Sequence, residues 1–118
     1  MKILLLGEWA VGKTCLLKSF IDQKGIGEMA YRYTVGVGIP ETKVIQIPCD
    51  LSTKTIRMQI WDIAGQPKFA KIGLMYYKEA EGAMFMFDIT RPKTLDSLRE
   101  KWIETCYQNI SEDGLRHQ

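Results

Sequence analysis

The sequence predicts an α/β fold in which helices flank a largely parallel sheet. Two uninterrupted apolar runs, residues 3–6 and 83–87, are typical of strands that are covered on both faces of such a sheet. Apolar residues from about 15 to 21, and again from about 95 to 106, recur at helical spacing instead. Strand and helix signals therefore alternate along the chain, as they do when helices connect parallel strands.

The other elements follow from local patterns. Residues 44–47 and 56–61 predict a hairpin joined by the turn-prone PCDLST, and in its second strand apolar and polar residues alternate. A helix is predicted through residues 76–81, and another from about 94 to 110. Residues 26–42, with several glycines and a proline, predict a long irregular loop. The buried stripe of the last helix is predicted to be Leu95, Leu98, Trp102 and Cys106.

Composition points to one ordinary globular domain over residues 1–118. The chain is 46% hydrophobic and 25% charged, and its net charge of +2 is too small to favour nucleic acid or an acidic membrane. Cys15, Cys49 and Cys106 lie far apart, so neither a disulfide framework nor a zinc site is predicted. Nothing resembles a signal peptide or a membrane span, and a cytoplasmic setting with reduced thiols is expected.

The stretch GEWAVGKT, residues 7–14, fits the phosphate-loop pattern G-x-x-x-x-G-K-[ST] between a predicted strand and a helix. Gly7 and Gly12 let the backbone curl so that its N–H groups point at phosphate oxygens, next to the positive end of the helix dipole. Lys13 is expected to reach the terminal phosphates and the Thr14 hydroxyl to bind magnesium. The nucleotide-contacting residues predicted here are Gly7, Glu8, Trp9, Ala10, Val11, Gly12, Lys13, Thr14 and Cys15.

A second motif, WDIAGQ at residues 61–66, ends the predicted hairpin. Asp62, at the tip of a strand beside the phosphate loop, is suited to hold magnesium through water. Gly65 would let its backbone N–H approach the γ-phosphate, and Gln66 would orient an attacking water. In the irregular segment YRYTVGVG, residues 31–38, Thr34 could supply magnesium with a second hydroxyl.

These motifs, in this order, resemble those of a small GTPase of the Ras superfamily. The segments TVGVG, WDIAGQ and FDIT are most similar to those of the Rab branch. The resemblance extends from residue 2 to about residue 110. The resemblance implies GTP and GDP as ligands, with switch I at about 26–40 and switch II at about 62–78. It further implies that exchange, activating and effector proteins bind the switches, and that Tyr31 can fold over the phosphates.

Two departures from the family carry consequences. The motifs with which the family reads guanine are absent from these 118 residues, as is any lipidated tail for membrane attachment. The chain is therefore expected to be the first two-thirds of a GTPase domain, with residues 83–87 as an exposed edge prone to self-association. Trp9 fills a slot that is usually small in the superfamily, so slow hydrolysis is expected, and the effect of Pro67 beside Gln66 stays open.

These features are compatible with three functions. The leading one is a GTP-binding switch that hydrolyses GTP slowly, because no arginine is obviously supplied in cis. The second is a truncated interaction module that keeps the switch surface without turnover. A P-loop ATPase or nucleotide kinase is weaker, because the motif pair at residues 31–38 and 61–66 belongs to GTP switches. Selectivity for guanine over adenine nucleotides would distinguish the GTP switch from the ATPase or kinase. Any hydrolysis of the nucleotide would distinguish the switch from the interaction module.

Overall fold

The computed structural model describes residues 1–22, 40–65 and 76–110. In these ranges four strands form one sheet with the order β2-β3-β1-β4. The strands are β1 (Lys2–Leu6), β2 (Glu41–Cys49), β3 (Ser52–Asp62) and β4 (Gly82–Phe85). The helices are α1 (Lys13–Asp22), α2 (Lys93–Ser97) and α3 (Ile103–Asn109), with a π-helical segment (Leu98–Trp102) joining the last two. The predicted α/β class with a mostly parallel sheet is confirmed.

Strand β1 is central and runs parallel to both of its neighbours. Leu5 pairs with Asp62 of β3, and Leu6 pairs with Phe85 of β4. Three strands thus end at the same edge of the sheet, where the loop 7–14 begins. In open α/β sheets this carboxyl edge is where ligands bind.

The uninterrupted apolar run of β1 supplies both faces of the sheet. Leu4 and Leu6 belong to the larger core cluster, while Leu5 belongs to a smaller one on the other face. This is the arrangement that alternating side-chain directions require of a doubly covered strand. The larger cluster consists of Leu4, Leu6, Ile63, Tyr77, Ala80, Leu98, Trp102 and Cys106. The smaller cluster consists of Leu5, Leu17 and Ile60.

The hairpin was correctly predicted but is longer than expected. Its antiparallel register runs from Glu41 opposite Ile60 to Cys49 opposite Ser52, which leaves a turn at residues 50–51. The alternation of β3 places Ile60 inward, while Arg57 and Gln59 are exposed. Polar residues extend both strands because backbone pairing does not require an apolar side chain.

The prediction of a helix through residues 76–81 is wrong, because this part of the described chain forms turns. Tyr77 and Ala80 are buried in the larger cluster, and Glu79 has a positive φ of 63°. The N–H of Ala80 closes a turn onto the carbonyl of Tyr77 at 3.3 Å, and the N–H of Glu81 donates to the carbonyl of Lys2 in β1 at 2.9 Å. Core packing and pairing with β1 therefore override the local helical pattern here.

Strand β4 is shorter than predicted and lies at the edge of the described sheet. It ends at Phe85, although the N–H of Met86 still donates to the carbonyl of Leu6 at 2.8 Å. Met84 is 47% exposed and Phe87 41% exposed. In the last helical run the expected stripe is buried at Leu98, Trp102 and Cys106, with Leu95 partly buried against them. No helix in the described ranges is long and apolar enough to cross a membrane.

Candidate functional site

The loop between β1 and α1 has the backbone that the phosphate-loop pattern requires. Gly7 has a φ of +151° and Gly12 a φ of +100°, and Ala10 between them has a φ of +57°. Glycine populates such conformations without steric cost, whereas alanine does not. A Cβ on Gly7 would also lie 2.3 Å from the carbonyl oxygen of Met86, so β4 and the loop approach each other too closely for any other residue.

Lys13 folds back over its own loop. Its ammonium donates hydrogen bonds to the carbonyl oxygens of Gly7 at 2.8 Å and Glu8 at 2.7 Å, and the residue is only 5% exposed. Burial lowers the pKa of Lys13 from 10.5 to about 8, against the opposing influence of Asp62 and then Glu8. A cation held at this depth by neutral carbonyls is well placed to gain from an anionic ligand.

Thr14 and Asp62 meet at the carboxyl edge of the sheet. The Thr14 hydroxyl donates a hydrogen bond to Asp62 Oδ2, and Asp62 is 3% exposed. A hydroxyl and a carboxylate are oxygen ligands of the kind that magnesium takes, with substrate phosphates and water completing its shell. The described residues contain no group of three or more His, Cys, Asp or Glu side chains that could hold a metal by themselves. The donor set therefore fits a magnesium ion that arrives with a phosphate ligand.

Gly65 lies directly against the phosphate loop. A Cβ at this position would be 2.3 Å from both the carbonyl carbon of Glu8 and the backbone nitrogen of Trp9. Only glycine can bring the segment after β3 so close to the loop. The two motifs that the sequence analysis paired are therefore in contact.

The side chain of Glu8 points away from the cradle of the loop and contacts the C-terminal helical run. Its Oε1 accepts a hydrogen bond from the indole N–H of Trp102 at 3.0 Å and lies 3.8 Å from the ammonium of Lys101. Trp102 is buried in the larger core cluster, as its place in the apolar stripe of the helix predicted. The contact with Glu8 was missed, because nothing in local sequence joins positions 94 residues apart.

Arg91 is a second contact that sequence reasoning missed. Its Nη2 donates to the carbonyl oxygens of Trp9 at 3.1 Å and Ala10 at 2.8 Å, and the centre of its guanidinium lies 5.8 Å from the centroid of the Trp9 ring. The FDIT motif just before it was the one available signal, because it follows the strand that pairs with β1 beside the loop. A shallow cavity of about 470 Å³ opens beside this contact, lined by Glu8, Trp9, Arg91, Pro92, Lys93, Thr94 and Ser97.

The described structure thus brings the phosphate loop, Lys13, Thr14, Asp62 and Gly65 together at one edge of the sheet. Cys15 follows Thr14 in α1 and is partly buried. The predictions for Tyr31, Thr34 and Gln66 lie outside the described residues, as do Pro67 and most of both proposed switches. Their roles stay predictions.

Comparison with known proteins gives one family. A family model described as "Ras family" matches residues 2–115. The chain is 38% identical over 115 residues to Ras-related protein Rab-10 of Caenorhabditis elegans, covering 98% of this chain and 53% of that protein. It is 42% identical over 101 residues to Ras-related protein Rab-32 of Mus musculus, and the match covers 86% of this chain and 42% of that protein. It is 34% identical over 114 residues to Ras-related protein SEC4 of Candida albicans, covering 97% and 50%. The chain spans about half the length of the curated relatives it matches.

Proposed function

Since the chain belongs to the Ras family and is Rab-like within it, we propose that the protein is a GTP-binding switch. In this proposal it binds GDP and GTP together with magnesium, hydrolyses GTP slowly, and changes its affinity for partner proteins with the nucleotide. Because the chain spans about half the length of these relatives, its nucleotides, reaction and partners are all part of the proposal.

The observation that supports the proposal most directly is the convergence of three polar side chains on one loop. Lys13, Thr14 and Asp62 come from the start of α1 and the end of β3, and they meet where Gly7 and Gly12 curl the backbone. The cation, the hydroxyl and the carboxylate are the groups that a magnesium-bound phosphate chain requires. Burying a lysine and an aspartate at one loop is costly, and a magnesium-bound phosphate ligand would offset that cost.

Each residue has a specific task in the proposed reaction. Lys13 and the N–H groups of residues 7–14 bind the phosphates and stabilise the charge that develops on them. Thr14, Thr34 and Asp62 are the residues that would hold magnesium, the first two through their hydroxyls and Asp62 through water. Bound magnesium would neutralise charge on the β- and γ-phosphates. Gln66 orients the attacking water, Gly65 offers its N–H, and Tyr31 closes over the phosphates.

The proposed regulation uses residues 26–40 and 62–78 as the two switch segments. Asp62 and Gly65 are described residues of the second segment that contact the phosphate loop, so a change at the terminal phosphate would be transmitted through them. Exchange, activating and effector proteins would bind these segments. We propose that the protein works in the cytoplasm and associates with membranes.

Trp9 favours a second candidate, an interaction module that keeps the switch surface and does not hydrolyse GTP. Its indole is 43% exposed, and the centroid of its ring lies 5.8 Å from the guanidinium centre of Arg91. Its slot in the loop is usually small in the superfamily, and a bulky indole in that slot would hinder an arginine supplied by an activating protein. Single-turnover hydrolysis of bound GTP separates this candidate from the switch, because the module would release no phosphate.

The first test is a magnesium-dependent titration of the chain with GDP, GTP, ADP and ATP. The switch predicts tight binding of the guanine nucleotides that weakens on magnesium removal and on Thr14→Val substitution. Lys54→Gln, which removes a charge from the exposed hairpin, serves as the matched surface control. Binding of all four nucleotides with equal strength would contradict a GTP-specific switch, and binding of none would contradict nucleotide binding by this chain.

A further inference from the structure

Arg91, which lies after β4, reaches the phosphate loop from the side opposite to its cradle. One nitrogen of its guanidinium, Nη2, donates to two successive carbonyl oxygens, those of Trp9 and Ala10. The two contacts span 82 and 81 positions of sequence, so only the pairing of β4 with β1 brings these groups together. No role proposed above uses this side chain.

The guanidinium is itself fixed by its surroundings. Its Nε donates to Asp88 Oδ2 at 3.1 Å, and Oδ1 of Asp88 accepts hydrogen bonds from the N–H and the hydroxyl of Thr90 at 2.8 and 2.6 Å. The Trp9 ring covers the guanidinium at cation–π distance. A planar fork that is tied to a carboxylate and covered by a ring has little freedom to leave the loop.

The two carbonyls determine where the loop's donors point. In a trans peptide the C=O and the following N–H point in opposite directions, and the described residues contain no cis peptide bond. When the carbonyls of Trp9 and Ala10 point outward to Arg91, the N–H groups of Ala10 and Val11 point inward, to the side of the phosphate cradle. Hydrogen bonds to a cation also polarise the peptides and strengthen those N–H donors.

The same contact accounts for the conformation of Ala10. Its φ of +57° lies in the left-handed region, which costs a residue with a Cβ roughly 1–2 kcal/mol. The surroundings must therefore hold it there. The charge-assisted bond from Arg91 to the Ala10 carbonyl, at 2.8 Å, is the contact best placed to do so.

We propose that Arg91 is a positioning residue for phosphate binding: it holds the peptides after Trp9 and Ala10 so that their N–H groups face the nucleotide's phosphates. The proposal rests on the function proposed above, because it names the residue that shapes that same site. Asp88 orients the arginine, and the Trp9 ring packs against its guanidinium. The segment after β4 thereby controls how tightly the phosphate loop binds phosphates, although it does not contact the ligand.

The test compares Arg91→Gln and Arg91→Lys with the native chain and with Arg99→Gln, a control on the exposed side of the π-helical segment. The first readout is amide hydrogen exchange of residues 7–14, measured without ligand alongside β1 and the C-terminal helical run. Loss of a charge-assisted bond predicts exchange about tenfold faster in the loop alone for Arg91→Gln. Arg91→Lys keeps the charge but cannot bridge both the carbonyls and Asp88. Its exchange rate in residues 7–14 should therefore lie between those of the native chain and Arg91→Gln.

The second readout is the affinity for GDP in the presence of magnesium, which should fall about tenfold for Arg91→Gln and stay unchanged for Arg99→Gln. If the native chain binds no GDP, the proposed function fails, whereas the exchange experiment still decides whether Arg91 positions the loop. Unchanged exchange in residues 7–14 for Arg91→Gln would overturn the proposal. Faster exchange throughout β1 and the helices would overturn it too, because it would show a general structural role.

Discussion

The hydroxyl of Thr14 donates a hydrogen bond to the carboxylate of Asp62 and so joins the start of α1 to the end of β3 across 48 positions of sequence. Asp62 is also the first of the two carboxylates that favour the charged form of the buried Lys13. The Asp62 carboxylate thus interacts with both Thr14 and Lys13, and the proposed function needs both residues. Its removal should therefore affect both magnesium and phosphate binding.

Asp62→Asn is expected to weaken binding of magnesium-GDP by roughly tenfold or more, which corresponds to the 1.5–3 kcal/mol of a hydrogen bond to a charged group. Titration with and without a chelator measures the effect, because the variant should lose most of the magnesium dependence of the native chain. Asp50→Asn, in the exposed hairpin turn, is the control. A variant that keeps full magnesium dependence would show that Asp62 does not hold the ion.

Lys13 predicts a pH dependence of stability. Its pKa is about 8 in the folded chain and 10.5 in the reference state, so between these values the unfolded chain binds more protons and stability rises with pH. The gain attributable to Lys13 approaches about 3 kcal/mol at the upper end of this window, at 1.36 kcal/mol for each pKa unit. Below pH 8 both states are protonated and the burial of the charge is fully unfavourable.

Two other groups, Tyr77 and Cys106, make stability fall as pH increases, and their contribution has to be subtracted from the measured curve. Burial raises the pKa of Tyr77 and of Cys106, so the unfolded chain loses these protons first and stability falls as pH increases. The measured quantity is therefore the free energy of unfolding of the native chain minus that of Lys13→Met, from pH 7 to 10. A difference that does not change with pH would show that Lys13 is not charged and buried in the way described.

Gly7 and Gly12 form a matched pair, because both have positive φ but only Gly7 is enclosed. Gly12→Ala adds a Cβ into open space and should cost about 1–3 kcal/mol of stability from backbone strain alone. Gly7→Ala also drives a Cβ to 2.3 Å from the Met86 carbonyl oxygen, so it should cost more and separate β4 from the loop. Chemical denaturation measures both losses, and an equal loss in the two variants would disprove the close approach at Gly7.

Trp9→Gly is expected to raise the rate of GTP hydrolysis, because it puts a small residue in a slot where an indole would hinder the arginine of an activating protein. An arginine that reaches the transition state is worth 10³–10⁵ in rate, so even partial access should give about a tenfold gain with an activating protein. Trp61→Phe, which alters a tryptophan of β3 that stacks on Tyr76, controls for the loss of an indole elsewhere. No gain in turnover would mean that Trp9 does not restrict hydrolysis.

The edge of β4 predicts self-association of this chain. Met84 and Phe85 are 47% and 36% exposed on a strand whose one described partner is β1. Met84→Lys should shift sedimentation toward the monomer, because a charge on an edge strand opposes strand pairing. Leu51→Lys changes a fully exposed leucine in the hairpin turn and should leave association as it was. A native chain that sediments as a monomer at every concentration would refute pairing through β4.

Much of this protein could be predicted from short stretches of sequence. Continuous apolar runs predicted β1 and β4, and alternation predicted β3, because the side-chain period of a strand is visible in a few residues. The glycines of residues 7–14 and the motif around Asp62 predicted the site, because their spacing reflects the backbone curvature and the ligands that phosphates require.

The tertiary structure determined what depends on residues far apart in sequence. The turns at residues 76–81 form because Tyr77 enters the core and Glu81 pairs with β1, although their local pattern favours a helix. The contacts of Arg91 with Trp9 and Ala10 exist only because β4 pairs with β1 and delivers the following loop to the back of the phosphate loop. Local sequence fixes the curvature of that loop, whereas long-range pairing decides which side chain holds it in place.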